Sequence, residues 1–297
     1  MINLRKDEKA LDKRRKYYLV LDTETATLPF ADEYDGAARK KIAIAKPLIY
    51  DIGWQIIDNK GNVYRKRSYL ITEIFSVPTI FNTAYYATKR PIYLERLERG
   101  EIILKTWREA TAILDHDLQE VEAVGAFNAM FDFKKSIPFT ELYISNLYGA
   151  NVNQWLEYQH KVCDNIANSK KWESEKEFEP DIFRFHGKAY KLFDLWGLSA
   201  RHLLNNDDYR QQCIDNNWLT ESGKFFKTSA ETTFRYLTND TDFEERHTAI
   251  EDTEIESEIF AKIYKTTKGK FECTIIYFPF REVGKVEDYV MRCFTER

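Results

Sequence analysis

Long apolar runs are missing from this 297-residue sequence. Nothing approaches the ~18 uninterrupted apolar residues that a membrane helix needs, so no membrane partner is expected. Paired cysteines are missing too. Cys163, Cys213, Cys273 and Cys293 are far apart and form no C-x-x-C, which argues against a zinc ribbon, a thioredoxin-like motif or a disulfide framework and leaves reduced, incidental thiols. The N-terminus, MINLRKDEKALDKRRK, is basic but has no apolar core behind it. The expectation is therefore no signal peptide and a cytoplasmic location. Internal repeats and low-complexity tracts are absent. Charge of one sign is not in large excess either: the formal net charge of −4 announces no nucleic-acid partner by itself. Positive residues do cluster, at 13–16, 39–41, 65–67 and 265–270. Such clusters can track a phosphate backbone locally, although each one alone reads as a solvated face.

What is present begins with composition. Charged residues make up 31% and aromatics 15%, the profile of a globular chain able to bury a substantial core as one large domain with insertions. The organising stretch is Tyr17 to Thr25, YYLVLDTET, an apolar run that stops abruptly at Asp22 and Glu24. On a strand, Tyr18, Val20, Asp22 and Glu24 share one face and Tyr17, Leu19, Leu21 and Thr23 the other. Both faces are apolar until the end, the pattern of a central strand covered on both sides. Two adjacent carboxylates at the end of a buried element repel each other and lose hydration, so they require a compensating positive charge.

Downstream, 26–47 reads as a long connection, a candidate substrate-shaping loop because it starts beside Glu24. The segments 48–57 and 63–71 flank the turn-rich 58–62 and predict a β-hairpin. Thr106 opens a helix to about Gln119 with Trp107, Ala110, Ile113, Leu114 and Leu118 on one face. A buried strand at 121–127 runs into Asn128 to Phe133, where a helix starts, carries Asp132 in its first turn and is expected to be broken by Pro138. The stretch 139–188, with the densely charged 173–179, reads as a helical insertion. KLFDLW at 191–196 returns as a strand, 199–204 as a short helix and 225–237 as a helix with Ser229 near its start. Residues 271–280 read as a strand and 281–297 as a short helix.

The segment 247–264, HTAIEDTEIESEIFAKIY, is a helix on whose buried stripe Asp252 joins Ile255, Ile259 and Ile263. An acid there is costly unless a charge meets it. His247 precedes it by five residues. Glu256 falls near the same stripe, which either blurs the helix phase or places a further acid close by. Carboxylate oxygens suit Mg²⁺ or Mn²⁺, and such groups can hold two ions that clamp a phosphodiester during in-line displacement. A nearby histidine can take the proton of the attacking water.

Taken in order, Leu21 to Thr25 (LDTET), Asn128 to Asp132 (NAMFD), and His247 followed by Asp252 resemble the three motifs of the DnaQ-like DEDDh 3′ to 5′ exonucleases. The strand bearing Ile52 and Gly53 and the helix at 225–237 are also similar to that family. The resemblance implies an α/β fold, a ribonuclease H-like mixed five-stranded sheet flanked by helices with long insertions. Its core would be about 15–135 and 190–265, with the insertion at 139–188 and an extension at 266–297. It further implies Asp22, Glu24, Asp132 and Asp252 as ligands of two Mg²⁺ or Mn²⁺ ions and His247 as general base. Thr25, Ala26, Asn128 and Phe131 would meet the terminal nucleotide, Asn128 being equally readable as a turn former and Phe131 as plain core. Asp194 is a supporting acid or a helix cap. The sequence departs from the family at Glu256, where a small or apolar residue is usual, and in the long connection after Glu24. The implied function is metal-dependent removal of nucleotides from 3′ ends, foremost of single-stranded DNA, in proofreading, replication or repair and with a DNA polymerase as a candidate partner. Two alternatives stand beside it: an exoribonuclease of the same fold, and a catalytically weak nucleic-acid- or polymerase-binding accessory module.

Overall fold

The computed structural model describes residues 11–169 and 179–295. The protein is a mixed α/β structure built on one sheet. Strand β1 (Tyr17–Ala26) lies at its centre, antiparallel to β2 (Leu48–Asp58), which is antiparallel to β3 (Val63–Ile71). On the other side β1 runs parallel to β5 (Ala123–Ala126), and β5 parallel to β7 (Lys188–Asp194). Two strands close the edges: β4 (Ile103–Lys105) parallel to β3, and β6 (Ile182–Phe185) antiparallel to β7. The sheet thus has seven strands, in the order β4-β3-β2-β1-β5-β7-β6, rather than the expected five. The two extra strands are short and carry little apolar alternation, and only pairing to a longer neighbour makes them strands.

The helices of two turns or more are α1 (Gly36–Ala45), α2 (Arg90–Glu98), α3 (Trp107–Leu118), α4 (Ile137–Leu147), α5 (Val152–Asn168), α6 (Asp207–Asp215), α7 (Ala230–Thr238), α8 (Ala249–Thr267) and α9 (Val286–Thr295). They cover both faces of the sheet, as the doubly apolar β1 requires. Tyr17, Leu19 and Leu21 enter one core cluster with Trp54, Trp107, Leu114 and Phe133. Tyr18 and Val20 enter the opposite one with Ile255, Ile259, Phe260 and Ile263 of α8. The predicted stripe on α3 is buried as expected, and its start is fixed by a capping box between Thr106 and Glu109. A third, smaller cluster joins Tyr209, Cys213, Trp218 and Phe226 to Val283 and Tyr289 of the C-terminal extension. No helix among the described residues is long and apolar enough to cross a membrane, and the four cysteines are free thiols.

Several local expectations are corrected. The connection 26–47 is not an open loop. It contains α1, which is docked on α5 by Tyr34 Oη donating to Asp164 (2.7 Å) and Lys41 Nζ donating to the Ser169 carbonyl (2.8 Å). Pro138 does not break its helix. The chain stays helical from Ala129 through Leu147, because Asp132–Ser136 adopt wider, π-type turns that remove the i−4 bond and the carbonyl clash a proline would otherwise meet. Residues 271–279 form no strand; they are irregular chain, with Ile275 buried against the sheet cluster and its N–H donating to the Pro180 carbonyl. Helix α7 starts five residues later than read, since Ser229 accepts the Thr232 N–H as its cap while Phe225 and Phe226 make short β-bridges. Most of the charged 173–179 stretch lies outside the described residues. Arg65 and Arg67 are not a solvated basic face: both are buried and bonded to Asp117.

Candidate metal centre

Asp22 and Glu24 stand at the end of β1 on the face toward α8. The β1–β2 register shifts between Glu24 and Thr25, an irregularity of the kind that re-aims side chains where pairing ends. Both acids keep part of their surface open to solvent. Across from them, β2 alternates Asp51, Gly53 and Gln55 with the core residues Ile52, Trp54 and Ile56. This polar and small set docks α8. Asp51 accepts the Ala249 N–H at 3.0 Å, and the Ser257 hydroxyl bonds Gln55 Oε1 at 3.1 Å. At Gly53 a Cβ would lie 2.6 Å from the Ile250 backbone nitrogen, so any larger residue would push the N-terminus of α8 off the sheet. That close approach brings Asp252 over Glu24.

One ligand atom each from Glu24, His247 and Asp252 lie within 4.8 Å of one another, close enough to hold one metal ion. Asp252 is buried and its Oδ1 has no hydrogen-bond partner. An ionised oxygen cannot remain so without a counter-charge, and the carboxylates of Glu24 and Asp252 suit a divalent cation, with the imidazole beside them as a candidate base. Asp132 comes from the other end of the chain segment, held by the wide turns that begin with it. Thr23, on the reverse face of β1, donates its hydroxyl to Asp132 Oδ1 at 2.5 Å. Asp132 and Asp22 are not part of the 4.8 Å group, but the charge of Asp132 bears on Asp22, as do those of Glu256, Asp252 and Glu24.

The electrostatics follow from packing acids together. Burial first, and then the neighbouring carboxylates, push Asp22, Glu24 and Glu256 far above the ordinary carboxylate range. The same causes raise Asp252 to about 9. Asp132 is raised to about 7 by burial, against the opposing hydrogen bond from Thr23. His247 moves the other way: burial and then the Lys89 ammonium lower it, so the imidazole is neutral near pH 7 and free to accept a proton. Its ring stacks on Tyr86, centroids 4.4 Å apart and planes at 15°. Its Nδ1 lies 3.7 Å from Glu245 Oε2. Its φ of 52° is in the left-handed region, a conformation that costs a non-glycine residue roughly 1 kcal/mol or more and is concentrated at functional sites.

Of the residues assigned to substrate, Thr25 is half-buried, Ala26 is packed in the sheet cluster, Asn128 is exposed with its side chain making no cap, and Phe131 is half-exposed and belongs to none of the core clusters. Asp194 is a cap: its carboxylate accepts the Gly197 N–H at 3.1 Å and the Ala129 N–H at 3.3 Å, tying β7 to the turn that carries Asp132. Sequence reading missed the arm between β3 and β4, which supplies Tyr86 and Lys89. The Tyr85-Tyr86 pair was its only local signal. It also missed the docking role of Asp51, Gly53 and Gln55, whose period of two inside an apolar strand was visible. Glu256 is settled in favour of a further acid, since it is only 2% exposed and faces Asp132 and Asp252.

The fold and this cluster define a mixed α/β protein with an acidic site able to hold a metal ion. Comparison with protein-family models, curated proteins and solved structures gave no match.

Proposed function

We propose that this protein is a metal-dependent 3′ to 5′ exonuclease acting on single-stranded DNA ends. The observation that carries the reading is the convergence of Glu24, His247 and Asp252, from segments more than 200 residues apart in sequence, within 4.8 Å, with Asp22 feeling the charges of Asp132, Asp252 and Glu24. Hydrolysis of a phosphodiester asks for anionic ligands to divalent cations and a neutral base within reach of a water, and these are the groups present. The central strand order β3-β2-β1-β5-β7, an antiparallel meander continued by two parallel strands, supports a ribonuclease H-like fold. When bound, Mg²⁺ or Mn²⁺ would neutralise the acids and polarise the phosphate.

The remaining work falls to the chain's own side chains. His247, kept neutral by burial and Lys89 and oriented by its stack on Tyr86, accepts the proton of the attacking water at an imidazole nitrogen. Lys89, 4.5 Å from the Tyr86 ring centroid, adds the positive charge of the arm beside the acids. Tyr85 is 88% exposed and meets Tyr86 edge-on at 4.8 Å. An exposed aromatic next to the site is a surface on which any unpaired base can stack, which favours a single-stranded end over a duplex.

The test is a panel of 5′-labelled single-stranded DNA, duplex DNA and RNA with Mg²⁺. A descending ladder on single-stranded DNA, abolished by chelator, is the expected result. A ladder on RNA alone would make the protein an exoribonuclease. No ladder on any substrate, with binding retained, would replace the enzyme reading by that of an accessory binding module.

A further inference from the structure

Two of the basic clusters that stand far apart in the sequence meet in the fold. Helix α8 runs back along the sheet from Asp252, opposite Glu24, to Tyr264, whose ring centroid lies 5.8 Å from that of Tyr18 at the start of β1. The chain then turns through Lys268 and Gly269, both at positive φ, and returns Phe271 to the same tyrosine, centroids 6.3 Å apart. Residues 13–16, which lead into β1, and residues 265–270, at the end of α8 and just beyond it, therefore lie side by side. Another segment joins them. Asp58, at the end of β2, pairs with Tyr17, and the hairpin turn beyond it rests on α8, where a Cβ on Gly61 would stand 3.1 Å from that of Ala261. This brings Lys60 to the same end of the sheet, the end away from Asp22 and Glu24.

Lys13, Lys60, Lys262, Lys265, Lys268 and Lys270 are exposed there, and none has an ion-pair partner among the described residues. Nearby acids are already bonded. Asp12 accepts from Arg14 at 3.0 Å, Asp58 from the Lys60 and Asn62 N–H groups at 2.8 and 3.1 Å, and Glu122 from Lys191 at 2.9 Å. Glu258, one turn before Lys262, is exposed on the flank. Lys265 alone would need no further account, since the carbonyl end of α8 attracts a cation. Lys13 and Lys60 come from other elements and have no such reason to be there. Cations gathered from separate segments repel one another, and in a chain of net charge −4 they make a local positive field that a polyanion relieves.

Resting on the exonuclease reading above, we infer that this end of the sheet anchors the phosphate backbone of a single strand whose 3′ end occupies the acidic site. Helix α8 sets the scale: Lys265 lies about 20 Å along its axis from Asp252, a distance that about six stacked nucleotides cover. Acids surround the strand end, so attraction for the backbone upstream has to come from another surface. Each lysine that meets a phosphate releases a counterion, and that attraction is blind to sequence.

The experiment compares the wild type with the combined variant Lys13→Gln, Lys60→Gln, Lys265→Gln, which takes one lysine from each segment. A control variant, Lys40→Gln, Lys161→Gln, Lys224→Gln, removes the same charge from α1, α5 and the turn before Phe225. Fluorescence anisotropy in chelator follows binding of a labelled single strand of about 20 nucleotides, longer than the span to the lysines, over a range of salt. Cleavage of that strand and of a trinucleotide is measured with Mg²⁺. The first variant should bind about tenfold more weakly, and its slope of log affinity against log salt should be shallower by about 2, at ~0.7 per lost phosphate contact. Its KM for the long strand should rise, while turnover of the trinucleotide, too short to reach the lysines, stays at the wild-type value. The control should behave as the wild type throughout. Wild-type affinity and slope in the first variant, or an equal loss in the control, would overturn the anchor and leave the exonuclease reading in place. Lysine-dependent binding without cleavage would uphold the surface and overturn the exonuclease reading. A wild type that neither binds nor cleaves would overturn both.

Discussion

Two clusters in this protein bring together the same residue types, one histidine and two acids, and differ in what surrounds them. His116, Asp117 and Glu120 at the end of α3 have the spacing of a metal site, as do Glu24, His247 and Asp252. At the first, Asp117 is fully buried but satisfied. Arg65 Nη1 donates to one oxygen at 2.8 Å, and Arg67 Nε and the Trp54 indole N–H to the other at 3.2 and 3.0 Å. At the second, several acids converge, Lys89 is the cation that bears on both Glu24 and Asp252, and one oxygen each of Asp252 and Glu256 has no donor. Proximity of carboxylates is thus common to a structural ion network and to a candidate metal centre. The missing cation is what separates them.

The same isosteric change should have opposite consequences at the two clusters. Asp252→Asn should abolish nucleolytic turnover, read as loss of the ladder on labelled single-stranded DNA, while the chelated protein unfolds at or above the wild-type denaturant midpoint. With its pKa raised to about 9, Asp252 is uncharged near pH 7 in chelator, so a neutral amide of the same shape removes neither a charge nor a cationic partner. Wild-type turnover in that variant would remove Asp252 from the site. His247→Ala should slow the reaction by about 10²-fold to 10⁴-fold, the usual worth of a general base; an unchanged rate would pass that role to another group.

Asp117→Asn should do the opposite of Asp252→Asn. It takes the fully buried Asp117 charge away from Arg67 and from Arg65, which keeps Glu120, and is expected to cost about 3 to 5 kcal/mol in chemical denaturation without a direct effect on the ligand set. Equal stability of the two Asn variants would mean that the two clusters do not differ in counter-charge.

The smallest effect is a drift with pH in chelator. Asp51 and Asp194 are raised to about 7 by burial, and Asp252 to about 9, from an ordinary value of 3.8. The fold therefore holds protons that the unfolded chain has released. Their stabilisation is complete below about pH 4 and is lost as pH rises to about 7 for the first two and about 9 for the third. Denaturation midpoints should fall over that range and flatten when Mn²⁺ is added; a midpoint that rises with pH in chelator would mean that the site is already balanced by internal cations, as Asp117 is.

Much of the site was legible because its chemistry contradicts its surroundings. Asp22 and Glu24 interrupt a strand that is otherwise apolar on both faces, and Asp252 interrupts the apolar stripe of α8. Each is an anomaly of pattern that local sequence displays. Glu256 was harder, because a second charge on a helical stripe reads equally well as a misjudged phase. Tyr86 and Lys89 were not legible as site residues. Nothing local to the arm between β3 and β4 indicates that it folds against His247, more than 150 residues away. The edge strands β4 and β6 were missed for a related reason: three or four residues become a strand when a neighbour offers unpaired N–H and C=O groups.

By itself, then, the order of residues determined the central strand, the hairpin beside it, the faces of α3 and α8 and the acids that violate those faces, because periodicity and burial are local properties of a pattern. The tertiary structure alone decided which acids share a space and which have a cation. Gly53 lets α8 approach β2 so closely that Asp252 meets Glu24. Arg65 and Arg67 reach Asp117, whereas the foremost charges on Glu256 are those of Asp132, Asp252 and Glu245. Whether a carboxylate is a strut or a ligand depends on the charges within a few ångströms of it, and those come from elements far apart in the chain.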